Sequence, residues 1–183
     1  MPNSGKNSKP RILGYDTVAQ SRLFRIEEVQ LEFSNGSQAL YERVQGTGSG
    51  AVLIVAMPDD EHVLLVREYA VGTERYELGF PKGRLEADEL PLSAANRELM
   101  EETGYAANKL QYLRSLTVAP GYFSHQTHLV LATDLYPQSA DGDEPEPVEV
   151  VNWPLARLAE LLRRDDFSEA RSIAALLLIK ELG

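Results

Sequence analysis

Glu98, Glu101 and Glu102 stand at spacings that can hold a divalent cation. On a helix the positions i, i+3 and i+4 share one face, so three carboxylates are crowded together. Like charges at this spacing cost an isolated helix about 0.2–0.5 kcal/mol per pair. They also bring oxygens close enough to share a metal ion. The segment around them has neither cysteine nor histidine, and such an all-oxygen donor set suits Mg²⁺ or Mn²⁺ better than zinc. The formal net charge is −10, which disfavours loose binding to a nucleic-acid backbone or an anionic bilayer. A protein this acidic can still act on phosphates if bound metal ions reverse the local sign.

Those carboxylates must be carried by a helix, and the pattern predicts one over Pro91 to Thr103. Ala94, Ala95 and Leu99 form its apolar face, and Gly104 is its stop. Ahead of it, Ala51 to Ala56 is a continuous apolar run suited to a buried strand. A turn at Pro58-Asp59-Asp60 leads to a strand over His62 to Tyr69, and Tyr76 to Phe80 reads as a short third. Leu110 to Val118, His128 to Asp134 and Val148 to Trp153 are further strands. Asp141 to Pro147 is an acidic loop. Leu155 to Arg163 and Ser168 to Leu182 read as amphipathic helices, the leucine stripe of the second serving core or dimer packing. Near the start, residues around Phe24 to Val44 form two antiparallel strands joined at Asn35-Gly36. We expect a tail at 1–10, an N-terminal strand region at 11–48, and a main domain at 49–183. The order of elements is α+β, without alternating βαβ units. The chain has no cysteine, hence no disulfide and no thiolate nucleophile. No apolar stretch reaches the length of a membrane span, and the cytoplasm is the expected compartment.

The carboxylates belong to a longer pattern: Gly83, five residues, Glu89, seven residues, Arg97-Glu98-Leu99, one residue, Glu101-Glu102, one residue, Gly104. This segment, Gly83 to Tyr105, resembles the signature of the Nudix hydrolases at every invariant position. Tyr105 stands where an aliphatic residue is usual. The resemblance implies an α/β fold of α/β/α sandwich type, with a small N-terminal antiparallel sheet beside it. It implies that Glu98 and Glu102 are direct metal ligands, that Glu101 is a catalytic carboxylate acting as a direct or water-mediated ligand, and that the carbonyl of Lys82 completes the site. Gly83 is expected to permit the backbone turn that aims that carbonyl. Arg97 and Glu89 are expected to form a structural ion pair bracing the loop against the helix. Cations held there would neutralise phosphoryl oxygens and acidify a water molecule, and a carboxylate would take its proton.

Longer strings, among them Arg67-Glu68-Tyr69-Ala70-Val71-Gly72-Thr73-Glu74, Tyr76-Glu77-Leu78-Gly79-Phe80 and Gly142-Asp143-Glu144-Pro145-Glu146-Pro147, resemble the members of that family that hydrolyse ADP-linked compounds. The implied substrates are ADP-ribose, NADH and short diadenosine polyphosphates, releasing AMP. The implied assembly is a homodimer whose N-terminal strands cross to the partner. In the acidic loop, Glu144 is the candidate base and Glu146 a further ligand. Candidate substrate contacts are Phe24, Glu42, Arg43, Arg67 and Tyr122, the last able to stack on adenine. Many relatives carry an arginine near Ala70 that this chain lacks. His125 and His128 are read as surface groups. Two other functions remain open: a Nudix hydrolase of sugar nucleotides or RNA caps, and a sensor that binds ADP-ribose without turnover.

Overall fold

The computed structural model describes residues 8–46, 50–142 and 145–182. The chain divides into two compact units, 1–47 with 117–125, and 48–116 with 126–183.

The first unit is a three-stranded antiparallel sheet in the order β1-β2-β3, with β1 at Arg11–Gln20, β2 at Arg25–Glu32 and β3 at Gln38–Gln45. The β2–β3 hairpin closes at the expected Asn35-Gly36. Gly36 takes φ 82°, a left-handed conformation that glycine adopts without Cβ strain. The Ser37 amide donates to Asn35 Oδ1 at 3.0 Å. One face of the sheet carries Ile12, Tyr15, Val29, Leu31 and Tyr41, which the register places opposite one another. Ile12, Tyr15 and Tyr41 are each about half exposed or more. At the end of that face Glu27 is buried and receives Arg43 Nη2 at 2.8 Å and Arg25 Nη2 at 2.9 Å. Residues 117–125 join this unit through the Val44 amide, which donates to the Tyr122 carbonyl at 2.7 Å.

The second unit is built on a mixed sheet. Its elements are β4 (Ala51–Asp59), β5 (His62–Ala70), β6 (Arg75–Gly79), β7 (Lys82–Arg84), α1 (Pro91–Thr103), β8 (Tyr105–Thr117), β9 (Gln126–Pro137) and β10 (Glu149–Pro154). A 3₁₀ turn at Leu155–Arg157, α2 (Leu158–Leu161) and α3 (Ala170–Leu182) follow. The strands run β10-β5-β4-β9-β8, with β6 added to β5 and β7 to β4. β4 lies parallel to β9 and antiparallel to β7.

Alternate residues of a strand face opposite sides, and β4 is buried on both. Val52, Ile54 and Ala56 pack with Ala94, Ala95 and Leu99 of α1. Leu53 and Val55 pack with Leu161, Phe167, Ala175 and Leu176 at the C-terminal end. Each such aliphatic side chain contributes about 1.5–3 kcal/mol by leaving water. The result is the expected α/β/α sandwich, a sheet with α1 on one face and α2 and α3 on the other. Three local features differ from the sequence expectation. β1 and the three-residue β7 were not anticipated, and the helix expected at Leu155 to Arg163 is a 3₁₀ turn followed by a single α-helical turn. Among the described residues, no helix is long and apolar enough to cross a membrane.

Candidate active site

The helix α1 is set at both ends by residue type. Pro91 opens it with φ already suited to a first turn, after an extended Leu90. Gly104 closes it at φ 75°, its amide donating to the Met100 carbonyl at 3.1 Å. With Ala94, Ala95 and Leu99 fixed against β4, the neighbouring face turns Glu98 and Glu102 inward, where they are 8% and 6% exposed. Two carboxylates one helical turn apart are therefore nearly removed from water.

β7 brings the preceding loop onto them. It pairs with β4 so that Val52 faces Gly83 and Leu53 faces Lys82. The Lys82 amide donates to Glu102 Oε2 at 3.0 Å. A Cβ on Gly83 would lie 1.8 Å from the Glu98 carboxyl carbon. The expected reason for this glycine was a turn, and that expectation is corrected here. Gly83 sits in a strand, and the described glycines with positive φ are Gly36, Gly50 and Gly104. What Gly83 supplies is room for a carboxylate against the backbone.

Arg97 does more than the expected pairing with Glu89. Its Nε and Nη2 donate to Glu89 at 3.0 and 2.9 Å. Nη1 reaches Glu98 at 2.8 Å and Glu101 at 3.0 Å. Nη2 also donates to the Arg84 carbonyl at 3.0 Å. One planar guanidinium thus ties loop, β7 and helix together, a geometry lysine cannot reproduce. Hydrogen bonding to Glu89 raises the arginine's pKa further, and the arginine lowers that of Glu89.

Burial pushes the Glu102 carboxyl up to about 8, against the pull of the Lys82 ammonium and the Lys82 amide. That cost of desolvation is what a nearby cation would offset. The donor chemistry fits a hard divalent cation: carboxylate oxygens on a rigid helix, a backbone strand beside them, and a glycine that leaves space. Among the described residues, no three acidic or histidine side chains converge on one point, and Arg97 bonds both Glu98 and Glu101.

Next to this pair lies a cavity of about 330 Å³ lined by Arg67, Glu68, Tyr69, Tyr76 and residues 145–149. Lys82 Nζ meets Glu68 on its wall at 2.5 Å. The Tyr76 hydroxyl donates to Glu146 Oε1 at 2.6 Å, and its ring packs edge-on to Tyr69. Glu146, expected near the metal, is thus held at the cavity by a phenol. Arg67, expected at substrate, donates to Glu149 at 3.0 Å and to Asp166 at 2.6 Å, and holds the Asp166 carboxyl below the usual range, second to Arg164. Glu144 lies outside the described residues. Phe24, Glu42, Arg43 and Tyr122 belong to the first unit. Phe24 and Tyr122 are largely exposed there, Glu42 is exposed opposite Glu28, and Arg43 is occupied by Glu27. His128 bonds the Tyr112 hydroxyl at 3.2 Å. The sequence reading missed Glu68, the side-chain role of Lys82, and Tyr76. The neighbouring pairs Glu68-Tyr69 and Tyr76-Glu77 were the available signal, and the β5–β6 register, with Tyr69 opposite Tyr76 and Glu68 opposite Glu77, joins them.

Comparison with known proteins agrees with this geometry. A model of the NUDIX domain matches residues 48–177, and a model of the NudE-type Nudix hydrolase N-terminal domain matches residues 10–43. The chain is 55% identical to the ADP compounds hydrolase NudE of Escherichia coli (strain K12), over 94% of this chain and 92% of that one. It is 31% identical to an ADP-ribose pyrophosphatase of Bacillus subtilis (strain 168), covering 87% and 89%. A crystal structure of an ADP compounds hydrolase superimposes with a TM-score of 0.88 at 52% identity, covering 96% of this chain and 94% of that one. With its carboxylate helix, its glycine-backed strand and a matching family model over most of its length, the chain belongs to the Nudix hydrolase family.

Proposed function

We propose that this protein hydrolyses the diphosphate bond of ADP-linked compounds, ADP-ribose, NADH and short diadenosine polyphosphates, releasing AMP with the help of Mg²⁺ or Mn²⁺. The observation that carries the chemistry is the buried pair Glu98 and Glu102, backed by a glycine too close for any side chain. The choice of substrate draws on the two relatives named for ADP compounds and ADP-ribose.

Glu98 and Glu102 would hold the cation, with the Lys82 carbonyl beside them. Bound there, it supplies the charge that neutralises a diphosphate and the means to acidify water. Arg97 fixes the helix face relative to β7, so the carboxylates stay in one arrangement through turnover. Glu101, held by the same arginine, or Glu144 is the candidate to accept the proton of the attacking water. Glu146, docked on Tyr76, would join the site by leaving the phenol. Phe24, Glu42, Arg43 and Tyr122 are proposed to meet the nucleoside, and Arg67 to shape the cavity. The apolar face around Ile12, Tyr15 and Tyr41 supports a homodimer, and the cytoplasm is the proposed compartment.

Purified protein with Mg²⁺ should release AMP from ADP-ribose or NADH. Glu98→Gln and Glu102→Gln should each abolish that release with the fold intact. Binding of ADP-ribose without AMP would instead indicate a sensor. An active Glu98→Gln, Glu102→Gln double variant would overturn the metal assignment.

A further inference from the structure

We propose that the Lys82 side chain is the substrate's phosphate contact, its ammonium leaving Glu68 for a phosphoryl oxygen as the diphosphate enters. The inference rests on the reading of the substrate as an ADP-linked compound.

The argument starts from charge. The cavity beside the carboxylate pair is walled by Glu68, Glu146 and Glu149, and the pair itself adds Glu98 and Glu102. An anionic ligand entering such surroundings needs a positive group at hand. Among the described residues, the basic side chains that line the cavity or bond these carboxylates are Arg67, Arg97 and Lys82. Arg67 is committed to Glu149 and Asp166. Arg97 is committed to Glu89, Glu98, Glu101 and the Arg84 carbonyl. Removing either guanidinium from its partners would dismantle the frame that positions the site. Lys82 differs, since among the described residues its ammonium bonds one carboxylate, Glu68, which is 45% exposed, whereas Arg67 bonds two and Arg97 three. The exchange of a half-exposed carboxylate for a phosphate is a small step.

Position favours the same residue. The Lys82 amide is bonded to Glu102, and its ammonium reaches the cavity wall. Backbone and side chain of one residue therefore touch both the carboxylate pair and the adjoining space. A lysine carries a compact charge on a flexible stem, so it can follow a phosphoryl oxygen while β7 stays fixed by its pairing with β4.

Glu68 then has a definite role. It holds the ammonium in place before the ligand arrives and competes with phosphate for it. Loss of Lys82 and loss of Glu68 should have opposite consequences for an anionic ligand, whereas a merely structural ion pair would be harmed equally by either.

The test is calorimetric binding of ADP and of adenosine in chelator, where no turnover occurs, to the wild-type chain, Lys82→Met, Lys82→Arg, Glu68→Gln and the exposed-lysine control Lys109→Met, each with its thermal midpoint. Lys82→Met should weaken ADP about tenfold, the weight of a charged hydrogen bond, and leave adenosine unchanged. Lys82→Arg should keep part of the lost affinity, which guards against a folding defect. Glu68→Gln should bind ADP as well as the wild type or more tightly, and Lys109→Met should match the wild type. The proposal is overturned if the wild-type chain binds no ADP, if Lys82→Met retains full ADP affinity, if adenosine weakens in step with ADP, or if Glu68→Gln loses as much as Lys82→Met. Release of AMP by the wild-type chain is measured separately. Lys82-dependent ADP binding without AMP release would sink the hydrolase reading and leave this one standing.

Discussion

Replacing Gly83 with alanine puts a methyl group where the Glu98 carboxyl now lies. The added Cβ would sit 1.8 Å from the carboxyl carbon and 2.0 and 2.1 Å from its oxygens. Merely to reach the 3.0 Å floor of real Cβ contacts, the carboxyl must retreat by about 1.2 Å. It has little room to do so, because Glu98 is 8% exposed and tied to Arg97 at 2.8 Å, while β7 is pinned to β4 by pairing on both sides of Gly83. Overpacking of this kind costs about 1–3 kcal/mol of stability, which a domain with two cores should survive. A displacement near 1 Å in a ligand should cost about 100-fold in turnover. The assay pairs kcat for AMP release from ADP-ribose at saturating Mg²⁺ with calorimetric Mn²⁺ titration and a denaturation curve. Gly72→Ala, where a Cβ would meet nothing within 4 Å, is the control and should behave as wild type. A folded Gly83→Ala variant that binds Mn²⁺ and turns over within about threefold of wild type, well short of that 100-fold loss, would refute the idea that close approach is the reason for the glycine.

Three further outcomes are expected. The Glu102 carboxyl, lifted by burial from 4.5 to about 8, binds a proton in the folded chain that the unfolded chain has released. Stability in chelator should therefore fall as pH rises through that window, by several kcal/mol at most. Mg²⁺ or Glu102→Gln should flatten the slope, and a denaturation midpoint that climbs from pH 6 to pH 8 would contradict the assignment. Arg97→Lys keeps the charge but cannot span Glu89, Glu98, Glu101 and the Arg84 carbonyl. It should lower stability by about 2 kcal/mol and reduce kcat, and a denaturation curve superimposable on wild type would count against the bracing role. Tyr15→Glu places a charge in the half-open apolar face of the first unit. Light scattering should show a wild-type dimer and a variant monomer, and a monomeric wild type would dismiss the dimer.

The second unit was legible where residue type leaves the backbone little choice. Pro91 and Gly104 bracket α1, and the helix runs between them as read. Ala51 to Ala56 read as a buried strand because it is apolar without alternation, and the two cores on either side of β4 are the cause. β7 escaped because Lys82-Gly83-Arg84 has no apolar pattern, and its strand character comes from pairing with β4. β1 escaped for a related reason. All ten of its residues are exposed, and its register against β2 is interrupted between Ile12 and Gly14 and between Thr17 and Ala19, which blurs the period of two. At the site, Glu98 and Glu102 could be read because helical spacing alone gathers them. The bonds of Lys82 to Glu68, Tyr76 to Glu146 and Arg67 to Asp166 span 14, 70 and 99 residues, and they follow from sheet register and loop path, which no local spacing encodes.

β4 has a consequence for how the protein fails. Its even-numbered side chains seat the carboxylate helix, its odd-numbered side chains seat the C-terminal helices, and its backbone holds the Gly83 strand. No opening of the molecule can free the carboxylates from Gly83 without exposing a core. Amide protons along Val52 to Ala56 should exchange with solvent only when the whole second unit unfolds. Loss of activity on heating should then coincide with loss of structure, with no warm intermediate that is folded but inert. The side-chain bonds of Tyr76 to Glu146 and Lys82 to Glu68 lie outside both cores, and they can break and re-form while β4 and its neighbouring strands stay paired.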